Sequence, residues 1–255
     1  MMPEAPRKTS WRDTFESLVV TVILAIFGTT FVVQAFKIPT GSMENTLLIG
    51  DHLLVNKFCF AYQPGALRHL LPYRNIRRED VLVFKFPGTE ESQEPGEHFV
   101  KRVIGLPGDR IRIVHRRVYV NGQELNEAYV RHSYVDQLRP GDDFPGDNNG
   151  GAPPGSTMRW SEDFERYIRD GELVVPPECY FVMGDNREQS WDSRFWGFVP
   201  REIASGRPLL IYWSFETPRD EYARTSLSDR VQQLADLVIH FVTKTRWRRT
   251  FQLVH

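Results

Sequence analysis

The sequence is poor in cysteine and carries almost no net charge. Its 255 residues include only two cysteines, Cys59 and Cys179, and its 32 basic side chains are balanced by 33 acidic ones. Two cysteines are too few for a four-ligand metal cluster. Both lie among apolar neighbours, so we expect two buried thiols rather than a disulfide bridge. The absence of excess positive charge gives no indication of a nucleic acid partner.

Several common catalytic motifs are also missing. The sequence contains neither the GxSxG turn of α/β-hydrolases nor the HExxH pair of zinc peptidases, and its 7 histidines are scattered. The acidic, Gly/Pro-rich stretch 137–158 lacks the spacing of a calcium loop, so we expect a plain solvated loop there. The sequence therefore predicts no metal, no cofactor and no requirement for a histidine.

One long stretch, 17–36, contains no charged residue. A helix of that length spans about 30 Å, the thickness of the hydrocarbon core of a bilayer, so the stretch predicts an N-terminal transmembrane helix. A cleavable leader is the alternative, because Val33 and Ala35 fit the small-residue pattern of a cleavage site. The apolar run exceeds the roughly 7–15 residues of a usual leader core, which favours an uncleaved anchor.

The basic residues around this stretch predict its orientation. Arg7, Lys8 and Arg12 precede it, whereas Lys37 alone follows it closely. Because basic residues near a membrane span are retained on the cytoplasmic side, residues 1–16 are expected in the cytoplasm. The chain from residue 37 onward is then expected outside the cell membrane, with membrane lipid as a partner.

The chain after the apolar run is predicted to be mainly β. It consists of short segments rich in β-branched and aromatic residues, separated by turn formers. Because helix and strand signals do not alternate, we expect an antiparallel, partly open barrel or sandwich rather than a parallel α/β sheet. The predicted divisions are a discontinuous main β domain, a β-rich insert and a C-terminal tail: 37–111 with 172–216, 112–171, and 217–255.

The tail has the pattern of an amphipathic helix. Its apolar residues recur at alternating steps of four and three: Leu227, Val231, Leu234, Val238 and Phe241. The polar residues between them make it unsuited to span a bilayer, and a basic, aromatic segment follows at 244–251. Two interpretations of residues 226–251 stay open: a helix at the lipid interface, or a helix docked on its own domain or on a partner.

Lys101 lies in a predicted strand, "HFVKRVI", at 98–104. Side-chain alternation puts it on the same face as Phe99 and Val103, and puts Arg102 on the other face. Burial disfavours the charged form of lysine, and a pKa lowered from about 10.4 toward roughly 7–8 allows it to act as a general base. A lysine that extends its charged end to solvent at a strand edge is the other interpretation.

Ser42 lies in the segment "IPTGSM", where Pro39 stiffens the chain and Gly41 permits unusual backbone angles. Such a turn can present a hydroxyl, although many Pro/Gly turns carry no function. Serine becomes a strong nucleophile only when a neighbouring base accepts its proton. Because no histidine or metal motif is present, a pair formed by Ser42 and Lys101 is the remaining candidate for catalysis.

Three segments together resemble bacterial type I signal peptidase. They are "IPTGSMENTLLIGDHLLVNKF", "HFVKRVIGLPGDRI" and "MGDNREQSWDSRFWGFVP", in the order in which that family has them. The resemblance implies a membrane-anchored serine protease that removes N-terminal leader peptides from exported preproteins. It also implies cleavage after small residues, as in Ala-x-Ala, at the outer face of the inner membrane.

The resemblance implies a role for four residues at the candidate catalytic turn and strand. Ser42 would be the nucleophile and Lys101 the general base. The hydroxyl of Thr40, where the family often has serine, would join the Ser42 backbone N–H in an oxyanion hole. Met43 would pack near the nucleophile and line the substrate cleft.

Five further residues would support this pair, according to the same resemblance. Ser190 would form a hydrogen bond with Lys101 and orient it. Asp185 would pair with Arg102, and Asp192 would pair with Arg194, which would hold the loop against the strand of Lys101. Ordinary surface ion pairs are the alternative for these four charges, and such pairs contribute little to stability.

Two other functions share parts of this pattern. Self-cleaving repressors use the same kind of Ser/Lys pair, but they are soluble and carry a DNA-binding module, which this sequence lacks. A non-catalytic, membrane-anchored binding protein with the same fold is the second alternative, and such a protein has no need of Ser42, Lys101 and Ser190.

Overall fold

The computed structural model describes most of the chain, in eight ranges. These are 11–28, 33–57, 59–60, 74–87, 97–133, 138–146, 151–219 and 226–254. Arg7 and Lys8, on which the predicted orientation depends, lie outside these ranges. Both cysteines are free; Cys59 is buried and Cys179 is half-buried.

The helices and strands of the described residues follow in chain order. They are α1 (Trp11–Phe27), β1 (Val33–Lys37), β2 (Asp51–Asn56), β3 (Val81–Lys85), β4 (His98–Gly105), β5 (Arg110–Val114), β6 (Arg117–Val120), β7 (Gln123–Glu124), α2 (Met158–Asp163), β8 (Ile168–Arg169), β9 (Glu172–Val174), β10 (Cys179–Met183), α3 (Ser193–Trp196), β11 (Val199–Pro200), β12 (Ala204–Ser214), α4 (Leu227–Lys244) and β13 (Gln252–Leu253).

The main sheet is antiparallel and has the order β1-β2-β12-β3-β4-β10-β11, with β13 paired to β12. The long strand β12 links two halves of this sheet, because its first residues pair with β3 and its later residues pair with β2. Irregular register along β12 lets the sheet curl, as β-bulges do in barrels. The prediction of a mainly β, antiparallel fold is confirmed.

A second antiparallel sheet has the order β7-β6-β5-β9-β8 and packs around its own apolar cluster. Phe144, which belongs to the predicted solvated loop 137–158, is fully buried in this cluster and pairs with Ile113 of β5. The prediction of a plain solvated loop is therefore wrong at Phe144. One aromatic side chain among many Gly, Pro and Asp residues was enough to bury that part of the loop.

The predicted transmembrane helix over 17–36 is not found in that form. Helix α1 begins earlier, at Trp11, and ends at Phe27, while Val33 already belongs to strand β1. None of the helices within the described ranges combines the length and the hydropathy that crossing a bilayer requires. Residues 33–36, at the end of the apolar run, are a strand because they pair with β2. Hydropathy alone does not distinguish such a strand from the end of a helix.

Strand β4 lies between two parts of the core. Val103 belongs to one apolar cluster with Leu82 and Val182, whereas Val100 packs against another that contains Met43 and Leu53. The alternation predicted for this strand is therefore confirmed. Both of its faces are covered, so a charged side chain on either face must find its partners inside the protein.

Candidate active site

Ser42 occupies the middle of a short 3-10 turn, Gly41–Met43, between β1 and β2. The side chain of Glu44 folds back over this turn, so that a Cβ on Gly41 would lie 2.8 Å from Glu44 Oε1. Asn186 holds the turn from the opposite loop: its backbone N–H donates to Ser42 O at 3.0 Å, and its side-chain amide donates to Gly41 O at 3.1 Å. Ser42 is thus fixed by contacts both within the turn and across it.

Strand β4 brings Lys101 to this turn. Lys101 Nζ lies 2.7 Å from Ser42 Oγ, and Lys101 is only 4% exposed. Of the two interpretations of Lys101, the structure contradicts the one in which its charged end reaches solvent. The curvature of the sheet joins two residues that are 59 positions apart in the chain.

Burial lowers the pKa of Lys101 from its ordinary value of 10.5 to about 8. Loss of solvation is the largest cause, because the surroundings stabilise the ammonium less well than water does. The nearby Arg194 lowers the pKa further, while Asp192 and Asp185 act in the opposite direction. At this pKa about one tenth of Lys101 is neutral at pH 7 and can accept a proton, whereas almost none would be neutral at the ordinary pKa of 10.5.

Arg102, on the other face of β4, forms a buried ion pair with Asp185. Its guanidinium donates to both carboxylate oxygens at 2.8 and 2.7 Å and to Glu79 O at 2.8 Å. The ring of Tyr129 lies 4.0 Å from the guanidinium carbon. The structure thus brings this predicted pair together in a buried position, where removal of one partner leaves an uncompensated charge.

Asp192 and Arg194 form a second buried pair next to Lys101. Arg194 donates to the two carboxylate oxygens of Asp192 at 2.8 and 2.9 Å, and Gly184 N donates to the same carboxylate at 3.1 Å. Burial alone would raise the pKa of Asp192, but Arg194 and then Lys101 more than offset this and hold it below its usual value. The carboxylate is therefore ionised and helps to fix the loop that follows β10.

Ser190 does not form the predicted hydrogen bond with Lys101. Its hydroxyl is buried with no hydrogen-bond partner of acceptable geometry among the described residues, although it is close enough to Asp192 to lower the pKa of that carboxyl. It lies against Gly184 instead: a Cβ at Gly184 would be 2.3 Å from Ser190 Oγ and 2.5 Å from Ser42 O. Glycine is therefore required where the two serine segments approach each other.

Thr40 and Met43 flank Ser42 on the chain and have opposite environments. Thr40 is exposed, has an extended backbone, and its hydroxyl does not cap the turn. Met43 is only 1% exposed and belongs to the core cluster beneath the turn. The prediction that Met43 lines a cleft is therefore wrong for this structure, because the turn directs its side chain into the core.

Sequence reasoning assigned no role to three residues that hold this site. Gly184 and Asn186 lie on either side of Asp185 in the segment "MGDN", which is part of the family resemblance. Their position next to Asp185 could have indicated a role at the site. Glu44 is buried and pairs with Arg131 at 3.1 Å and with Arg219 at 3.0 Å. Both arginines lie far from Glu44 in the sequence, so no local sequence pattern predicts these ion pairs.

Comparison with known proteins identifies the family. A model described as signal peptidase, peptidase S26, matches residues 11–213. A probable signal peptidase I-2 from Synechocystis sp. is 34% identical over 210 residues, which cover 82% of this chain and 77% of that protein. Signal peptidase I of Aquifex aeolicus is 33% identical over 239 residues, covering 81% and 86% of the two chains. That of Pseudomonas aeruginosa is 32% identical over 229 residues, covering 82% and 73%. The chain therefore belongs to the signal peptidase family, peptidase S26.

Proposed function

We propose that this protein is a signal peptidase that removes N-terminal leader peptides from exported preproteins. The observation that carries the proposal is the buried contact of 2.7 Å between Lys101 Nζ and Ser42 Oγ. A binding protein gains nothing from burying a lysine against a serine, since the desolvation opposes folding. A serine protease gains a base that can be neutral near neutral pH.

In the proposed reaction, neutral Lys101 accepts the proton of the Ser42 hydroxyl as Ser42 Oγ attacks the carbonyl carbon of the scissile peptide bond. The tetrahedral intermediate collapses when the peptide C–N bond breaks, and the Lys101 ammonium gives its proton to the departing amine. Lys101 then accepts a proton from a water molecule that attacks the acyl-enzyme. The leader leaves with a new carboxylate, and Ser42 recovers its proton.

The oxyanion of this intermediate would be held by the Ser42 backbone N–H and the hydroxyl of Thr40. Two features support this assignment: Thr40 precedes Ser42 by two residues in an extended conformation, and its hydroxyl is not used to cap the turn. Preorganised donors of this kind contribute much of the rate enhancement in acyl transfer. The clamp formed by Asn186 would keep the turn fixed while charge develops.

The proposed site of action is the outer surface of the inner membrane. Supporting this, α1 presents large exposed apolar side chains, including Leu18, Ile23 and Leu24, and it directly precedes the strand that leads to Ser42. A leader peptide is itself apolar, so an enzyme held at the membrane meets its substrate there.

The test is to incubate the purified full chain with a preprotein and to sequence the N-terminus of the product. We expect a single cut after small residues at the first and third positions before the bond. Ser42→Ala should abolish cleavage, and Lys101→Arg should do the same, because arginine stays protonated. Lys85→Arg, an exposed lysine on the neighbouring strand β3, is the matched control and should cleave normally.

Two results would refute the proposal. One is undiminished cleavage by Ser42→Ala, which would exclude Ser42 as the nucleophile. The other is the absence of any cleavage by the unaltered protein under conditions where it is folded, which would favour a binding function for the buried pair.

A further inference from the structure

Helix α4 lies beyond residues 11–213, the part that matches the family model. It begins with a capping box, in which Ser226 N donates to the Asp229 carboxylate at 3.1 Å, and it ends at Lys244. The capping box indicates that the start of this helix is specified by its own sequence. Non-helical backbone angles at His240 mark a kink within it.

Helix α4 turns its mostly polar face toward the protein and its apolar face toward solvent, the opposite of a helix packed on a soluble domain. Its inner face is mostly polar: Asp229, Gln233, Asp236 and Lys244, together with Leu234 and Leu237, line a cavity of about 470 Å³ between the helix and the main sheet. The outer face carries four aliphatic residues that are each between 69% and 73% exposed: Val231, Val238, Ile239 and Val242. In a soluble helix the apolar stripe normally faces the core, so an exposed stripe of this size indicates an interaction surface.

The last turn of α4 and the tail that follows it are bonded to the main sheet and to the segment before β2. The indole of Trp213 donates to Thr245 Oγ1 at 3.3 Å, and its ring lies 5.9 Å from that of Phe241. Arg246 donates to Ile49 O at 2.9 Å. Arg249 pairs with the fully buried Asp51 at 2.6 Å. These contacts to β12, to the first residue of β2 and to the segment before it fix the end of the helix.

The charges around the outer face distinguish a lipid surface from an apolar protein partner. Both acidic residues of α4 are turned inward, where Asp229 caps the helix and Asp236 pairs with Lys244 at 2.7 Å. Arg230 is exposed at the edge of the cavity. Just beyond the helix stand exposed Trp247 and Arg248. Aliphatic residues flanked by tryptophan and arginine, without an exposed carboxylate, match the interface of an anionic bilayer.

We propose that the outer face of α4, together with Trp247, lies on an anionic phospholipid surface. This goes beyond the proposed peptidase activity and does not depend on it, because lipid contact is measured without cleavage. The main sheet connects α4 to α1, whose apolar side chains are also exposed, so both helices can contact one membrane. The tail is bound at β12, which pairs with β2, and β2 pairs with the strand β1 that follows α1.

The test places the photo-crosslinking residue p-benzoyl-phenylalanine at single positions of the full chain. Val238 and Val242 probe the outer face, Gln233 probes the inner face, and Leu138 is a matched control, an exposed apolar residue in a distant loop. The protein is irradiated with vesicles of phosphatidylethanolamine and phosphatidylglycerol, and adducts are identified by mass. We expect phospholipid adducts at 238 and 242, and at least tenfold less adduct at 233 and 138.

A second measurement asks whether the apolar face and the charges cause the contact. Ile239→Glu should strongly reduce the adduct formed at 242, whereas Leu138→Glu should leave it unchanged. Arg248→Gln should weaken the contact about fivefold with anionic vesicles and have little effect with phosphatidylcholine vesicles.

Three outcomes would overturn the proposal. Adducts to a second copy of the chain at 238 and 242, formed instead of lipid adducts, would make the outer face a self-association surface. Equal lipid adducts at all four positions would indicate non-specific contact. The absence of lipid adducts at 238 and 242, in protein that floats with the vesicles, would leave α4 away from the bilayer. Cleavage of a soluble peptide, measured in parallel, tests the proposed function separately.

Discussion

Replacing Lys101 with methionine should stabilise the protein while it abolishes activity. Lys101 is 4% exposed, and burial lowers its pKa from 10.5 to about 8, so its protonated form is less stable in the folded protein than in the unfolded chain. This difference corresponds to a cost of about 3 kcal/mol at pH 7. Methionine fills a similar volume without the charge, so Lys101→Met should recover much of that free energy of unfolding.

The advantage of Lys101→Met in free energy of unfolding should depend on pH. Between pH 8 and pH 10.5 the unfolded chain binds more protons at Lys101 than the folded protein does, so the stability of the unaltered protein rises with pH in this window. The cost of Lys101 is fully present below pH 8 and decreases to less than about 1 kcal/mol at pH 10. The advantage of Lys101→Met should therefore be largest at pH 7 and fall to about a quarter of that value at pH 10.

The assay is denaturant unfolding of the full chain at both pH values, together with peptide cleavage. Lys85→Met, at an exposed lysine on β3, is the matched control and should change stability little at either pH. If Lys101→Met were less stable than the unaltered protein at pH 7, or if its advantage did not shrink at pH 10, Lys101 would not be held at a lowered pKa. The reasoning that makes it the general base would then be wrong.

Four other predictions address the same site. The kcat/KM for a peptide substrate should rise about tenfold per pH unit below pH 8 and level off above it as Lys101 loses its proton; a flat profile from pH 6 to 9 would contradict this. Thr40→Val should lower kcat by about 10²–10³ with little change in KM, whereas full turnover would exclude Thr40 as an oxyanion donor. Gly184→Ala should cost about 1–3 kcal/mol of stability because its Cβ has no space, whereas Gly28→Ala, which has no atom within 4 Å, should cost little in the same unfolding assay. Asp185→Asn should destabilise the protein by about 3–5 kcal/mol in denaturant unfolding, because it leaves a buried guanidinium uncompensated; a loss below about 1 kcal/mol would show that water reaches the pair.

Local patterns in the sequence were sufficient for the strand that carries Lys101. Alternation along 98–104 predicted which side chains share its face, and the clusters around Val100 and Val103 agree. The two buried ion pairs were predicted from the resemblance and not from spacing. Their burial could not be read from the sequence, because Asp185 and Asp192 belong to a Gly/Asp-rich loop, and charges in such a loop are equally typical of a surface.

Features that depend on distant packing were not predictable. The contact of Asn186 with the Ser42 turn joins residues 145 positions apart, and no periodic pattern records it. The periodicity of α4 predicted an apolar stripe but not its direction, because a helical pattern identifies a face without naming its neighbour. Similarly, hydropathy placed 33–36 in the apolar run, whereas pairing with β2 made those residues a strand.

The support of Ser42 extends through Asp51 to the C-terminal tail. Asp51 accepts from Leu48 N at 2.8 Å, and Arg249 donates both to this carboxylate at 2.6 Å and to Thr46 O at 2.9 Å. The Thr46 hydroxyl in turn donates to Asp185 at 2.5 Å, the partner of the arginine that follows Lys101. The residues after α4 are thus bonded to the segment that follows the nucleophile, and through it to the support of the base. A membrane that holds the outer face of α4 would therefore hold the tail at the same sheet that positions Ser42.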